Sequence, residues 1–102
     1  MRNYRDFVIE KMKNTEEAAE YLRSSFEEYS EDGNLEAFLT AVRSVAESRG
    51  GISELARITE LNRQTLHRTL SATVNPSIKT LQSILSSLGF RLAIEPVLSF
   101  DR

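Results

Sequence analysis

The sequence predicts an all-α chain of about six helices closed by one short C-terminal β-strand. Three observations carry this. Apolar residues recur at three- and four-residue spacing through most of the 102 residues. Glycine, asparagine and proline interrupt that pattern at intervals suited to helix ends. Only "FRLAIEP", residues 90–96, alternates apolar with other residues at a period of two.

Taken in order, Tyr4, Phe7, Val8 and Met12 give the first helical stripe. Thr15 offers a hydroxyl cap for the second helix, with Glu16 and Glu17 in the first turn, where the helix dipole favours anions. That helix carries Ala18, Ala19, Leu22, Phe26 and Tyr29, and Gly33 breaks it. Asn34 caps the third, which has the clearest period: Leu35, Phe38, Leu39, Val42, Val45 and Ala46. Gly50-Gly51 stops it. Ser53 is expected to cap a fourth helix through about Thr59, and Asn62 a fifth through about Ser71. Pro76 biases Asn75 away from helix, making "TVNPS" a turn. Ser77 caps a sixth helix with Ile78, Leu81, Ile84, Leu85 and Leu88, ending at Gly89. In the last segment Phe90, Leu92 and Ile94 alternate with Arg91, Ala93 and Glu95 until Pro96. This strand has no evident partner within its own chain.

Composition sets the class. Hydrophobic residues make up 40% and charged residues 27%, an ordinary globular balance that supports one domain with a modest core. No apolar run approaches the roughly 20 residues that cross a bilayer. The N-terminal stretch interrupts its apolar positions with charge, unlike a secretory signal. Absence of cysteine removes disulfides, thiolate metal sites and cysteine nucleophiles, so a reducing cytoplasm is the simplest setting. No cofactor is implied. Charge is uneven: residues 1–50 hold 7 basic and 11 acidic residues, residues 51–102 hold 6 and 4. The expected organisation is therefore an acidic helical segment over 1–50, packed on a more basic unit over 51–102.

The stretch "ELARITELNRQTLHRTL", residues 54–70, concentrates the chemistry. Two short helices joined by a three- or four-residue turn, with a third following, describe a helix-turn-helix. Ala56 is small where the second helix must approach the first. Leu61 pins the turn to the core, Asn62 caps the second helix, and Leu66 and Leu70 face inward. Arg63, Gln64, His67 and Arg68 are left on one outer face. The DNA major groove admits one helix, and its base edges match Arg for guanine and Gln or Asn for adenine. These four are the candidate base contacts, with Ser53, Asn62, Asn75, Ser77 and Lys79 as candidates for the phosphate backbone. An ordinary solvated helix face is the competing account of each taken singly.

Catalysis would need an acid–base pair, a nucleophile or a metal site. With one His and no Cys, His67 beside a carboxylate and a serine is the one conceivable set. The chain has no Gly-x-Ser-x-Gly elbow, phosphate-cradling glycine loop or His-x-x-x-His pair. A non-enzymatic role is expected. A helical protein–protein adaptor remains open, and the acidic pI of 5.4 suits it.

With these residues identified, "GISELARITELNRQTLHRTLSATVNPSIKTLQSILSSLGFRLAIEP" resembles the Xre-type, phage-repressor-like helix-turn-helix domain. The preceding "YRDFVIEKMKNTEEAAEYL" is similar to the opening of the probable addiction-module antidote proteins, relatives of HigA-type antitoxins. The match runs from about Tyr4 to Pro96. It implies a bacterial type II antitoxin that binds a small RelE/ParE-like toxin and represses its own operon. It involves neither a membrane nor a small-molecule substrate. A regulator without a toxin partner is the alternative inside the same class. Where that family usually has glycine in the turn, this chain has Glu60, at a position that often needs positive φ.

Two surfaces are expected to meet partners. Glu27, Glu28, Glu31 and Asp32 crowd the C-terminal end of the second helix, against the helix dipole. An acidic surface complements the basic RNA-directed toxin that the resemblance implies, so Glu27, Glu28 and Glu31 are its candidate contacts, with an ordinary solvated acidic surface as the competing account of each. The strand at 90–95 is expected to pair with a second copy or to add to a toxin's sheet edge, with a C-terminal tail packed on the helices as the competing account. A homodimer reading an inverted repeat in double-stranded DNA follows from the two-fold spacing of half-sites, about 34 Å apart.

Overall fold

The period over residues 35–48 becomes the helix around which the others assemble. A computed structural model describes residues 3–71 and 74–97. Among the described residues the order is α1 (Tyr4–Met12), α2 (Thr15–Asp32), α3 (Leu35–Ser48), α4 (Gly51–Thr59), α5 (Arg63–Leu70) and α6 (Ile78–Ser87). Phe38, Leu39, Ala41, Val42, Val45 and Ala46 of α3 are all buried. They cover so much of the helix circumference that α3 packs against α1, α2, α4 and α5. One apolar cluster consequently runs from Val8 to Leu88 and includes Leu22, Leu55, Leu66, Leu70 and Ile84.

Polar contacts fasten α1 to α3. Arg5 donates to Ser44 Oγ and to Glu47 Oε1, each at 2.7 Å. The buried Ser44 hydroxyl in turn donates to the Thr40 carbonyl at 3.1 Å. Arg49 donates to the Met12 carbonyl at 2.7 Å, satisfying a C-terminal carbonyl of α1. Its guanidinium also lies 5.8 Å from the centre of the Phe90 ring, a cation–π contact that ties the end of α6 to α1.

Asn34, Asn62 and Ser77 cap α3, α5 and α6 as their sequence positions predict. Two caps differ. Asn14, not Thr15, caps α2, accepting from the Glu17 N–H at 2.9 Å; Thr15 is the first helical residue. Gly50, not Ser53, caps α4 with φ +105°, so the helix begins before Ser53 and takes in Ile52. A Cβ at residue 50 would stand 2.9 Å from Glu54 Cβ, which is why glycine fits there.

The expected C-terminal strand is not seen among the described residues. Residues 91–97 are exposed and make no backbone hydrogen bond with any described residue. The helical hydrogen bonding closes at Phe90, whose N–H donates to the Leu85 carbonyl at 2.8 Å. The α1 stripe is also only half used: Val8 and Met12 are buried, whereas Tyr4 and Phe7 stay exposed beside an α1–α2 groove of about 310 Å³. Of the expected turn at 73–77, Thr73 lies outside the described residues.

Candidate nucleic-acid interface

The site is built by α4, the turn at residues 60–62, and α5. Thr59 at the end of α4 donates its hydroxyl to the Leu55 carbonyl at 2.8 Å and accepts from the Leu61 N–H at 3.2 Å. One side chain thus closes the helix and fixes the turn. Glu60 takes the left-handed conformation, φ +64° and ψ +14°, and its N–H donates to the Ala56 carbonyl at 2.9 Å. It is the only non-glycine residue with positive φ among the described residues. The turn therefore takes a conformation that favours glycine, at the steric cost of a Cβ.

Asn62 then restarts the chain as a helix. Its Oδ1 accepts from the Thr65 N–H at 2.7 Å. Leu66, Thr69 and Leu70 are buried, and Leu61 and Ala56 pack on the same cluster. With that side committed to the core, Arg63, Gln64, His67 and Arg68 are exposed together on the opposite side of α5. The structure therefore brings the four predicted base-contact residues onto one outward surface. Arg63 has no ion-pair partner among the described residues.

The backbone-contact candidates divide. Ser53 is exposed inside α4 and caps nothing, because Gly50 holds that position. Ser77 caps α6, accepting from the Thr80 N–H at 3.1 Å. Asn75 and Lys79 are exposed in the preceding loop and the first turn of α6, and neither bonds to α5. Arg57, the single Lys or Arg of α4, is occupied by Glu54 through a hydrogen bond of 3.1 Å between Nε and Oε1 and a second contact. That hydrogen bond holds the Glu54 carboxyl below its ordinary value and raises the Arg57 guanidinium.

One residue was not singled out in the sequence. Arg43 of α3 lines a groove of about 230 Å³ with Ile52, His67, Arg68, Leu70 and Ser71. It comes from the acidic half and is 3.7 Å from Glu47. Its sequence signal was only an exposed position on a strongly apolar helix; the α3–α5 packing that joins it to His67 and Arg68 is long-range information.

On α2, Glu27, Glu28 and Glu31 are exposed on one face of the helix, without ion-pair partners among the described residues. Asp32 has a structural use, accepting from the Asn34 N–H at 2.8 Å. Among the described residues no group of three His, Cys, Asp or Glu is placed to hold a metal ion, and no helix is long and apolar enough to cross a membrane.

Comparison with known proteins adds the decisive finding: the model of the probable addiction module antidote proteins matches residues 4–96. The chain belongs to that family. Membership gives it an antidote role and points to a regulatory rather than catalytic protein, and an antidote has a toxin partner in general. An uncharacterized protein of Haemophilus influenzae is 29% identical over 92 residues, covering 89% of this chain and 90% of its own length. No solved structure matches the chain.

Proposed function

We propose that this antidote is a sequence-specific DNA-binding autorepressor, related to HigA-type antitoxins, that also neutralises a RelE/ParE-like toxin by binding it. The observation that carries the reading is the two-sidedness of α5: Leu66 and Leu70 are buried, and Arg63, Gln64, His67 and Arg68 are exposed together. Arg63 and Gln64 occupy the first turn, the part of a recognition helix that reaches base edges. His67 and Arg68 follow one turn later, near Arg43. Asn75, Ser77 and Lys79 serve the phosphates, as does Asn62 at the α5 N-terminus; Ser53 is left as a weaker contact inside α4.

A homodimer places two such helices on the half-sites of an inverted repeat. The acidic face of Glu27, Glu28 and Glu31 lies on α2, leaving α5 for DNA while a basic toxin is steered to the other helix.

The test is fluorescence anisotropy on the protein's own promoter fragment. Affinity falls steeply between ~50 and ~200 mM salt if several phosphates are contacted. Arg63→Ala costs about 1–3 kcal/mol and relaxes base preference at one position. Binding that ignores both salt and Arg63 would remove the repressor reading. For the toxin face, Glu27→Lys with Glu28→Lys slows toxin association at low salt and leaves the dissociation rate nearly unchanged.

A further inference from the structure

The segment after α6 is the part of the molecule that its own fold leaves unfinished. Residues 91–97 are exposed, and their backbone groups are unbonded to any described residue. Leu92 is 38%, Val97 70% and Ile94 101% exposed. Such an edge is a template for pairing with another chain.

From these features we infer that residues 91–95 pair antiparallel with the same residues of a second copy, across a two-fold axis at Ala93. This inference rests on the dimeric part of the proposed function and specifies its surface.

Two independent properties select that occupant and that register. The first is backbone parity. Successive residues of an antiparallel pair alternate between hydrogen-bonded and non-bonded positions. Phe90 has already given its N–H to Leu85, and Pro96 has none to give. Both are even-numbered, so neither costs a ladder bond if Arg91, Ala93 and Glu95 form the bonded pairs. An axis at Ala93 sets Phe90 opposite Pro96, so the two residues without an available N–H face each other.

The second property is side-chain complementarity. The same axis sets Arg91 opposite Glu95 of the copy twice over, by symmetry, and Leu92 opposite Ile94. Neither Arg91 nor Glu95 forms an ion pair with a described residue. Opposite charges across a strand pair stabilise it, and like charges destabilise it. Leu92 and Ile94 fall at the non-bonded positions, where side chains approach most closely. The segment also starts from a fixed point, because the Phe90 ring lies against Arg49 and its N–H is held by Leu85. A self-complementary segment of this kind suits an isologous interface.

The experiment is sedimentation of the full chain at micromolar concentration, with R91E, E95R and the combined swap. These positions are exposed and outside the helices, so helical circular dichroism stays unchanged. The wild type is expected to be a dimer. Each single reversal weakens dimerisation about tenfold, the combined swap restores it, and a mixture of the two single variants forms a heterodimer. The register is overturned if the single variants dimerise normally or if the swap stays as weak as either. A wild type that is monomeric until a toxin is added overturns self-pairing and assigns the edge to the toxin. Promoter binding by the same samples separates the two proposals. A dimer that follows the charge pattern without binding DNA removes the repressor reading alone, and a DNA-binding dimer indifferent to the pattern removes the register alone.

Discussion

Two helices of this protein end with the same backbone geometry and different residues. At the end of α2, Gly33 has φ +73° and ψ +9°, and its N–H donates to the Tyr29 carbonyl at 2.8 Å. At the end of α4, Glu60 has φ +64° and ψ +14° and makes the equivalent bond to Ala56 at 2.9 Å. Glycine takes this conformation freely, and a side chain costs roughly 1–2 kcal/mol there. Their charges contrast too. The α4 end carries Arg57 in its last turn, as the helix dipole favours, whereas the last turn of α2 has no basic residue. The unfavourable choice is thus a backbone one beside the candidate DNA face and an electrostatic one on the acidic face. Local rules are broken next to the two surfaces to which partners are assigned, and such breaks are expected where function competes with stability.

Both helix ends belong to one cooperative body if the core that joins them is continuous, and Leu66 is the residue to test it. It is fully buried in the cluster that joins α3 to α5. Leu66→Ala is expected to cost about 2–5 kcal/mol. Urea unfolding followed by far-UV circular dichroism and by tyrosine fluorescence should shift together, since Tyr4, Tyr21 and Tyr29 all lie in the first two helices. A tyrosine signal that stays put would mean that the two helix ends report on separate units.

Gly33→Ala is next. A Cβ at residue 33 meets nothing within 4 Å, so the substitution isolates the backbone penalty from any clash. A loss of about 1–2 kcal/mol is expected in the same unfolding experiment. Glu60→Gly runs the comparison backwards. Relief of the strained φ is offset by the larger unfolded-state entropy of glycine, so the expected gain is smaller, from a few tenths to about 1 kcal/mol. Glu60→Gln keeps the strain and removes the charge, and should recover only the small electrostatic part. If Gln matches Gly, charge rather than φ distinguishes the two ends.

How far these features were legible depended on whether their cause was local. Asn34, Asn62 and Ser77 were readable as caps because each is a short polar residue immediately before an apolar period. Positive φ at Glu60 is legible only through the resemblance, in which glycine usually holds that turn position. Serine is a common cap and Ser53 stands just before an apolar period, yet Gly50 already holds the left-handed conformation three residues earlier, and Ile52 belongs inside the helix. Tyr4 and Phe7 follow the α1 period, but period alone does not say how much of a stripe a neighbour covers. Arg43 joins His67 and Arg68 only through the packing of α3 on α5. Alternation over residues 90–95 was read as a strand, but pairing needs a partner, and this chain supplies none among its described residues.

Arg57 bonds to Glu54 on the exposed surface of α4, and this bond lowers the Glu54 carboxyl from its ordinary value. A carboxyl lowered on folding contributes stability above its unfolded pKa, and the contribution disappears as pH falls through its folded value. Because both groups are exposed, solvent screens the pair and the stability change should be hard to detect. The Glu54 titration itself is the sensitive readout. In Arg57→Ala, NMR should place the Glu54 carboxyl back toward the usual glutamate range. Titration at the wild-type pH in that variant would assign the lowering to the α4 N-terminus, where Glu54 also sits close to the positive end of the helix dipole.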